Sequence, residues 1–332
     1  MADATGILVF GDAPEGQLAS TAQELLSAGR SLADSLGQEL TIALLGADVA
    51  DAPQQAIAHG ADKVLAVTNP TLAEYHPDHY VTAMQTVANE SNPGIILIAR
   101  NNEGRELAPR LAFRLGVGLA QDCLEVSVDA STGRLLANRP VYGGSAVAVV
   151  SCTQTPQIAA LRPKTYEPLD ADAARTGNVI AFPVDIDPSD AKTRVVDVVK
   201  EQAVGIKLED ARIVVSGGRG LGGPEPFSQL EELANLLGGA VGASRAAVDS
   251  GWVPANQQVG LTGKTITPDL YITVAISGAS QHMAGCSGSK AIVAINRDAD
   301  ANIFKEARYG VVGDWEKVIP ALMETVRELT QS

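Results

Sequence analysis

Aromatic side chains are scarce in this 332-residue chain, at 4% of the total, which argues against an aromatic-rich all-β fold. Cysteine is scarcer still. Cys123, Cys152 and Cys286 stand far apart, so neither a disulfide framework nor a metal knuckle fits, and the three are expected to be reduced thiols. Long apolar runs are missing: none approaches the roughly 18–20 residues that cross a bilayer. The opening "MADATGILVF" carries neither a basic leader nor a signal-peptide core, so the chain is expected to be soluble and cytoplasmic. Positive charge is in deficit, with 25 Lys and Arg against 39 Asp and Glu and a net charge of -14. Nucleic-acid affinity comes mainly from cations that displace condensed counterions, so nucleic acid is not an expected partner.

What the chain has in quantity is Ala, Val, Ile, Leu and Gly. Its 45% hydrophobic content suits buried parallel strands flanked by small-residue helices, and its length suits two cores. The fold class is therefore α/β, with two domains that are each a mainly parallel sheet with flanking helices. In the first domain "GILVF" precedes "GQLASTAQELLSAGRSLADSLG", where Leu18, Leu25, Ala28, Leu32 and Leu36 fall at helical spacing, and "LTIALLG" follows. The alternation continues through a helix around Gln54 to His59, "KVLAV", a helix around Val81 to Ala88, "GIILIAR" and a helix in "GRELAPRLAFRLG". From about residue 120, "CLEVSVD", "LLANRPVYGGSAVAVVSC" and "QIAALRP" predict an antiparallel addition. Residues 163 to about 192, rich in Pro and Asp, predict an irregular crossing segment, and "TRVVDVVK" a short strand. The boundary is expected between residues 203 and 204, giving domains 1–203 and 204–332.

In the second domain "ARIVVSGGRG" runs from a strand into a glycine loop, and Phe227, Leu230, Leu233, Ala234 and Leu237 then share one helical face. Further strands are predicted in "GGAVGAS", "LYITVAIS", "KAIVAIN" and "RYGVVGD", with helices at about Ala301 to Ala307 and in "WEKVIPALMETVREL". The result is a doubly wound, Rossmann-like sheet. Ligands of such sheets bind beyond the carboxyl ends of the strands. There the sequence places Arg219, then Ser244 and Arg245, then Ser277 to His282, then Asn296, then Asp314. Glycines admit a pyrophosphate, arginines and a helix N-terminus neutralise it, and Asp or Asn can bind ribose, so a dinucleotide is the economical ligand. "SGGRGLGG" lacks the glycine offsets of the nicotinamide fingerprint, and no acidic residue ends the second strand. The loop "NQQVGLTGKTITPD" reads equally as a ligand cover or as an ordinary surface loop.

The segments "SGGRG", "GASRAAVD", "QVGLTGK", "DLYITVAISGASQHMAG", "SKAIVAIN" and "YGVVGD" resemble, in order and spacing, the FAD-binding domain of electron-transfer flavoprotein alpha subunits (the FixB-like family). "ARNNEGRELAPRLAFRLGVGLAQDC" resembles that family's N-terminal domain. The resemblance implies one non-covalent FAD and a heterodimer with a beta subunit. It also implies electron relay from flavoprotein dehydrogenases, such as acyl-CoA dehydrogenases of fatty acid oxidation, to a quinone oxidoreductase or another acceptor, through an anionic flavin semiquinone. Such a protein is an electron carrier with no substrate chemistry of its own. It implies FAD contacts for Arg219 and Ser244, a place beside the isoalloxazine for Arg245, and a hydroxyl toward flavin N5 from Thr262, with Val259, Gly260 and Leu261 completing that loop. Ser277, Gly278, Ala279, Ser280, Gln281 and His282 would wrap the flavin and its phosphate chain, and Asn296, Asp314 and Trp315 would hold the adenosine end. In the beta subunit AMP implies a relay, and a second FAD implies bifurcation.

His282, the only histidine of the C-terminal half, would then meet the side of the flavin where reduction places negative charge, as a donor or as a cation near its titration midpoint. Arg245 adds a charge that no proton removes near neutral pH. Leu261 departs from the family, which usually has glutamine there, and is expected to alter the flavin's potential while leaving binding intact. His76 and His79 in "EYHPDHY" read as a solvated turn rather than a metal pair, and Cys286 reads as a packing residue. The contrasting classes are an enzyme that binds a nicotinamide or adenine nucleotide, and a nucleotide-sensing module without redox chemistry.

Overall fold

The computed structural model describes residues 4–142, 146–197 and 206–330. It divides into two compact units, Met1–Val199 and Lys200–Ser332; residues 198–205, where the sequence boundary was expected, lie outside the described residues. No helix among the described residues is long and apolar enough to cross a membrane.

In the first unit β1 (Ile7–Gly11), α1 (Ser20–Leu36), β2 (Leu40–Gly46), α2 (Ala52–Ala58), β3 (Lys63–Thr68), α3 (Pro77–Ser91), β4 (Ile95–Ala99) and α4 (Asn102–Leu115) alternate as expected. β5 (Leu119–Cys123), β6 (Glu125–Val128), β7 (Leu135–Val141), β8 (Ala146–Val150), β9 (Gln157–Leu161) and β10 (Asn178–Ala181) follow. Seven strands form one sheet in the order β10-β3-β2-β1-β4-β9-β5, every pairing parallel. Strand alternation sends Ile7 and Val9 into one core, against Leu25, Ala28 and Leu32 of α1, and Leu8 and Phe10 into the other, against α3 and α4. Leu18 shares the first of these cores but precedes α1. Gly37 ends α1 at φ 63, the left-handed cap that glycine adopts without strain.

Three expectations fail here for physical reasons. Only β6, β7 and β8 make the antiparallel addition; "QIAAL" is β9, buried at all five positions between β4 and β5, as a two-sided parallel strand must be. The Pro- and Asp-rich segment carries β10, an edge strand exposed at every position, so burial imposes no period on it. "TRVVDVVK" makes no strand over residues 193–197. Its Val196 is 84% exposed, so β-branching there reflects propensity without burial; residues 198–200 lie outside the described residues.

The second unit contains β11 (Ile213–Gly217), α5 (Phe227–Leu236), β12 (Ala240–Ser244), α6 (Arg245–Asp249), β13 (Gln258–Val259), β14 (Leu270–Val274), α7 (Ser280–Met283), β15 (Ile292–Asn296), α8 (Ile303–Glu306), β16 (Tyr309–Val312) and α9 (Trp315–Thr330). Its parallel sheet runs β13-β12-β11-β14-β15-β16, the doubly wound order in which the direction of winding reverses between β11 and β14. Phe227, Leu230, Leu233 and Ala234 of α5 pack with Ile319 and Met323 of α9 on one face. Val214, Val259, Ile266, Tyr271 and Cys286 form a separate core.

Candidate functional site

The carboxyl ends of the six parallel strands share one edge, and the switch point between β11 and β14 lies on it. The Gly218 N–H donates to the Val274 carbonyl at 2.8 Å, and a Cβ at Gly218 would fall on the Ala275 carbonyl. Glycine is required there because two backbones meet. The chain after β14 turns at Gly278, φ +78, and the Ser277 carbonyl accepts from the Ile303 N–H at 3.1 Å. Asn296 Nδ2 donates to the Ile276 carbonyl at 2.9 Å, while its own carbonyl accepts from the Gly313 N–H at 3.0 Å. Asp314 begins α9: its carbonyl accepts from Lys317 and Val318, and Oδ1 accepts from the Glu316 N–H at 3.2 Å.

A second set of links gathers the other predicted residues. Ser244 and Val259 are register partners of β12 and β13. The loop beyond β13 bends at Gly260, φ +141, and the Leu261 N–H donates to the Gln281 carbonyl at 2.7 Å. Thr262 Oγ1 accepts from Gln258 Nε2 at 3.0 Å. The segment Ser277, Gly278, Ala279, Ser280, Gln281 and His282 thus joins both sets, touching the Ile303 N–H through Ser277 and the Leu261 N–H through Gln281, while Asn296 holds Ile276 just before it. Among the described residues no hydrogen bond links the Arg219 or Arg245 side chain to these sets. Both are exposed, and Arg245 pairs with Asp249 one turn along α6, Nε to Oδ2 3.2 Å. Trp315 packs against the core of α5 and α9.

His282 is buried, 7% exposed, on the short helix α7 rather than on an open loop. Its Nε2 lies 2.9 Å from the Tyr271 hydroxyl, with the two rings stacked at 6.1 Å and 22°. Nδ1 is buried without a hydrogen bond. Burial pushes the imidazole pKa down to about 4, only partly opposed by the Val259 backbone. The expectation of a histidine near its titration midpoint is therefore corrected: apolar packing makes His282 neutral at pH 7, a donor and not a cation. Tyr271 was missed because it stands in an apolar strand; its one sequence signal is that it is the sole aromatic in "LYITV". Cys286 donates from Sγ to the His282 carbonyl at 3.4 Å, and burial pushes its thiol up to about 12, which leaves it unreactive near neutral pH.

Among the described residues no group of three or more His, Cys, Asp or Glu could hold a metal. His76 is no solvated turn: it is buried, caps α3 by accepting from the Asp78 N–H at 3.3 Å, and meets Thr193 Oγ1 at 2.9 Å. A missed pair lies where winding reverses in the first sheet, between β1 and β4. Asp12 follows β1 and accepts from Asn101 Nδ2 at 2.5 Å. Glu103, in the first turn of α4, is pushed up to about 7 by burial and by the charge of Asp12, to which it is hydrogen-bonded. That crevice carries acid where its counterpart in the second sheet carries glycine and arginine, so it disfavours phosphate.

Residues 7–187 match the family model of the electron transfer flavoprotein domain, and residues 207–287 match that of the electron transfer flavoprotein FAD-binding domain. The chain belongs to the electron transfer flavoprotein alpha-subunit family. Electron transfer flavoprotein subunit alpha of Thermoanaerobacterium thermosaccharolyticum is 45% identical over 99% of this chain and 100% of its own length. The Bacillus subtilis protein of the same name is 41% identical over 97% and 98%. A protein of Anaerotignum propionicum named acryloyl-CoA reductase electron transfer subunit beta is 37% identical over 97% and 95%. The FAD-binding match covers Arg219 through His282 and ends before Asn296, Asp314 and Trp315.

The residues of the second unit fit a flavin dinucleotide. Its isoalloxazine would offer acceptors to His282 Nδ1, a buried nitrogen that makes no well-formed hydrogen bond and has only the Val259 backbone near the ring as a weak alternative. Its pyrophosphate suits a crevice where glycine lets two backbones close at a switch point.

Proposed function

We propose that this chain holds one FAD non-covalently at the carboxyl edge of its C-terminal sheet and works as the alpha subunit of a heterodimeric electron carrier. The observation that carries the reading is a coincidence: the stretch matching the FAD-binding family contains the switch-point glycines and the buried donor His282. Arg219, Ser244 and the segment 277–282 would hold the cofactor, with Asn296, Asp314 and Trp315 at its adenosine end. Arg245 and the loop of Val259, Gly260, Leu261 and Thr262 would border the isoalloxazine. The flavin, when bound, supplies the chemistry of taking up and passing on electrons. The chain's own part is electrostatic. Arg245 contributes fixed positive charge, and His282 contributes an N–H donor toward developing negative charge without itself changing protonation.

The partners in this reading are a beta subunit, flavoprotein dehydrogenases such as acyl-CoA dehydrogenases as donors, and a quinone oxidoreductase or similar acceptor. The protein converts no substrate itself. The relative named as an acryloyl-CoA reductase electron transfer subunit supports a second reading for the partner alone, a reductase of a CoA thioester supplied with electrons by this pair. Co-purification with the beta subunit and counting of bound nucleotides tests both. One FAD per pair together with AMP is expected for a relay, and two FADs for bifurcation. A pair isolated without flavin, and unable to take it up, would sink the proposal.

A further inference from the structure

The Tyr271–His282 contact joins two elements: a strand residue of β14 and a helix residue of α7, eleven apart, meet at 2.9 Å with both side chains buried. We infer that Tyr271 is a positioning residue, whose hydroxyl donates to His282 Nε2 and thereby fixes the imidazole proton on Nδ1. The inference rests on the flavin reading for its functional meaning, though not for its chemistry.

Two arrangements satisfy the 2.9 Å contact, and the neighbours choose between them. If Nε2 carried the proton, the Tyr271 oxygen would accept it, the Tyr271 proton would pass to the Ser216 hydroxyl oxygen, and the Ser216 proton would be left without an acceptor. Nδ1 would then turn a lone pair toward the backbone at Val259, the group whose influence favours a protonated ring; facing a carbonyl, a lone pair is repelled. In the other arrangement every group finds its complement. The Ser216 hydroxyl, fully buried on β11 without a well-formed hydrogen bond, faces the Tyr271 oxygen and can donate to it. Tyr271 donates to Nε2, and the Nδ1–H is directed where the backbone accepts it weakly and a flavin oxygen could accept it better. Tyr271 and the Val259 backbone face the ring, Ser216 stands behind the Tyr271 hydroxyl, and the Cys286 thiol meets the His282 carbonyl; none of these is charged near neutral pH. A neutral ring with one fixed tautomer gives a donor of constant strength, which an exposed histidine would not.

The test uses the full chain with its partner, labelled with ¹⁵N-histidine, and reads the two ring nitrogens of His282 at pH 7, assigned by their loss in His282→Asn. The proton is expected on Nδ1 in the wild-type protein, and Tyr271→Phe, which keeps the ring that fills the core, should move more than half of it to Nε2. The same variant should weaken the site's preference for the reduced flavin about tenfold, about 59 mV for one electron. A wild-type proton on Nε2 overturns the inference even if Tyr271→Phe fails to fold. So does an unchanged tautomer in the variant, or a moved tautomer with an unmoved potential. Wild-type protein that takes up no flavin sinks the functional reading instead, and the tautomer still decides the inference.

Discussion

At the scale of single residues, the chemistry turns on what burial does to His282. An imidazole held near pKa 4 by its packing offers no positive charge at pH 7, so in the proposed function its effect on a bound flavin would be that of one hydrogen bond. A hydrogen bond that strengthens as its acceptor becomes charged is worth about 1–2 kcal/mol, or about 40–90 mV for one electron. His282→Ala should therefore keep FAD and lower the potential of the first one-electron reduction by that amount, measured by redox titration; an unchanged potential returns His282 to a packing role. His282 itself was legible in the sequence as the lone histidine of the C-terminal half, a few residues beyond an apolar strand. Its protonation state was not, because that depends on Tyr271, the Val259 backbone and the core around them, which sequence separates and folding brings together. Leu261 was legible only as a departure from a family pattern. Its side chain is 41% exposed, so the structure gives it no packing role that would explain the replacement.

At the scale of elements, strands buried on both faces announced themselves as unbroken apolar runs, and helices with one core face as 3.6-residue stripes. The elements that escaped are those where burial imposes neither signal. β10 is exposed at all four positions, β13 has two residues, and α7 has four. Yet α7 and β13 carry much of the candidate site, where regular structure is shortest. The switch-point glycine illustrates the constraint from the other direction. Gly218 looks like any loop glycine in "SGGRG", but a Cβ there would fall on the Ala275 carbonyl, and neither backbone can yield without opening the β11–β14 pairing. Gly218→Ala should destabilise the second unit by about 1–3 kcal/mol, the usual cost of overpacking. Chemical denaturation followed by Trp252 and Trp315, the two tryptophans, both in that unit, would register it. A variant as stable as the wild type would mean the two loops have room that the structure denies them.

At the scale of the whole molecule, two units with separate cores carry buried titrating groups of opposite sense, and their stabilities should therefore depend on pH in opposite ways. His282 has a folded pKa of about 4 against 6.5 for the free side chain. Between those values the unfolded chain binds a proton that the folded chain refuses, so this group makes the second unit lose stability as pH falls from about 6.5 to about 4, by up to about 3 kcal/mol. Glu103 is raised by burial, and then by Asp12, from 4.5 to about 7. There the folded chain keeps a proton that the unfolded chain gives up. This group makes the first unit lose stability as pH rises from about 4.5 to about 7, by about 1–2 kcal/mol once partial exposure is allowed for. Paired carboxylates such as Asp62, lowered although burial opposes it because the Leu40 N–H and Arg30 hold its charge, act in the opposite direction within the first unit. The slope of a single substitution is thus more telling than the sum. Glu103→Gln should stabilise the first unit relative to wild type above pH 7 and leave it little changed at pH 4.5, whereas His282→Asn should flatten the acid slope of the second unit alone. Calorimetry across pH 4.5–8 that follows the two transitions separately would decide it: parallel shifts of both transitions in either variant would show that the two groups are not titrating inside independent cores.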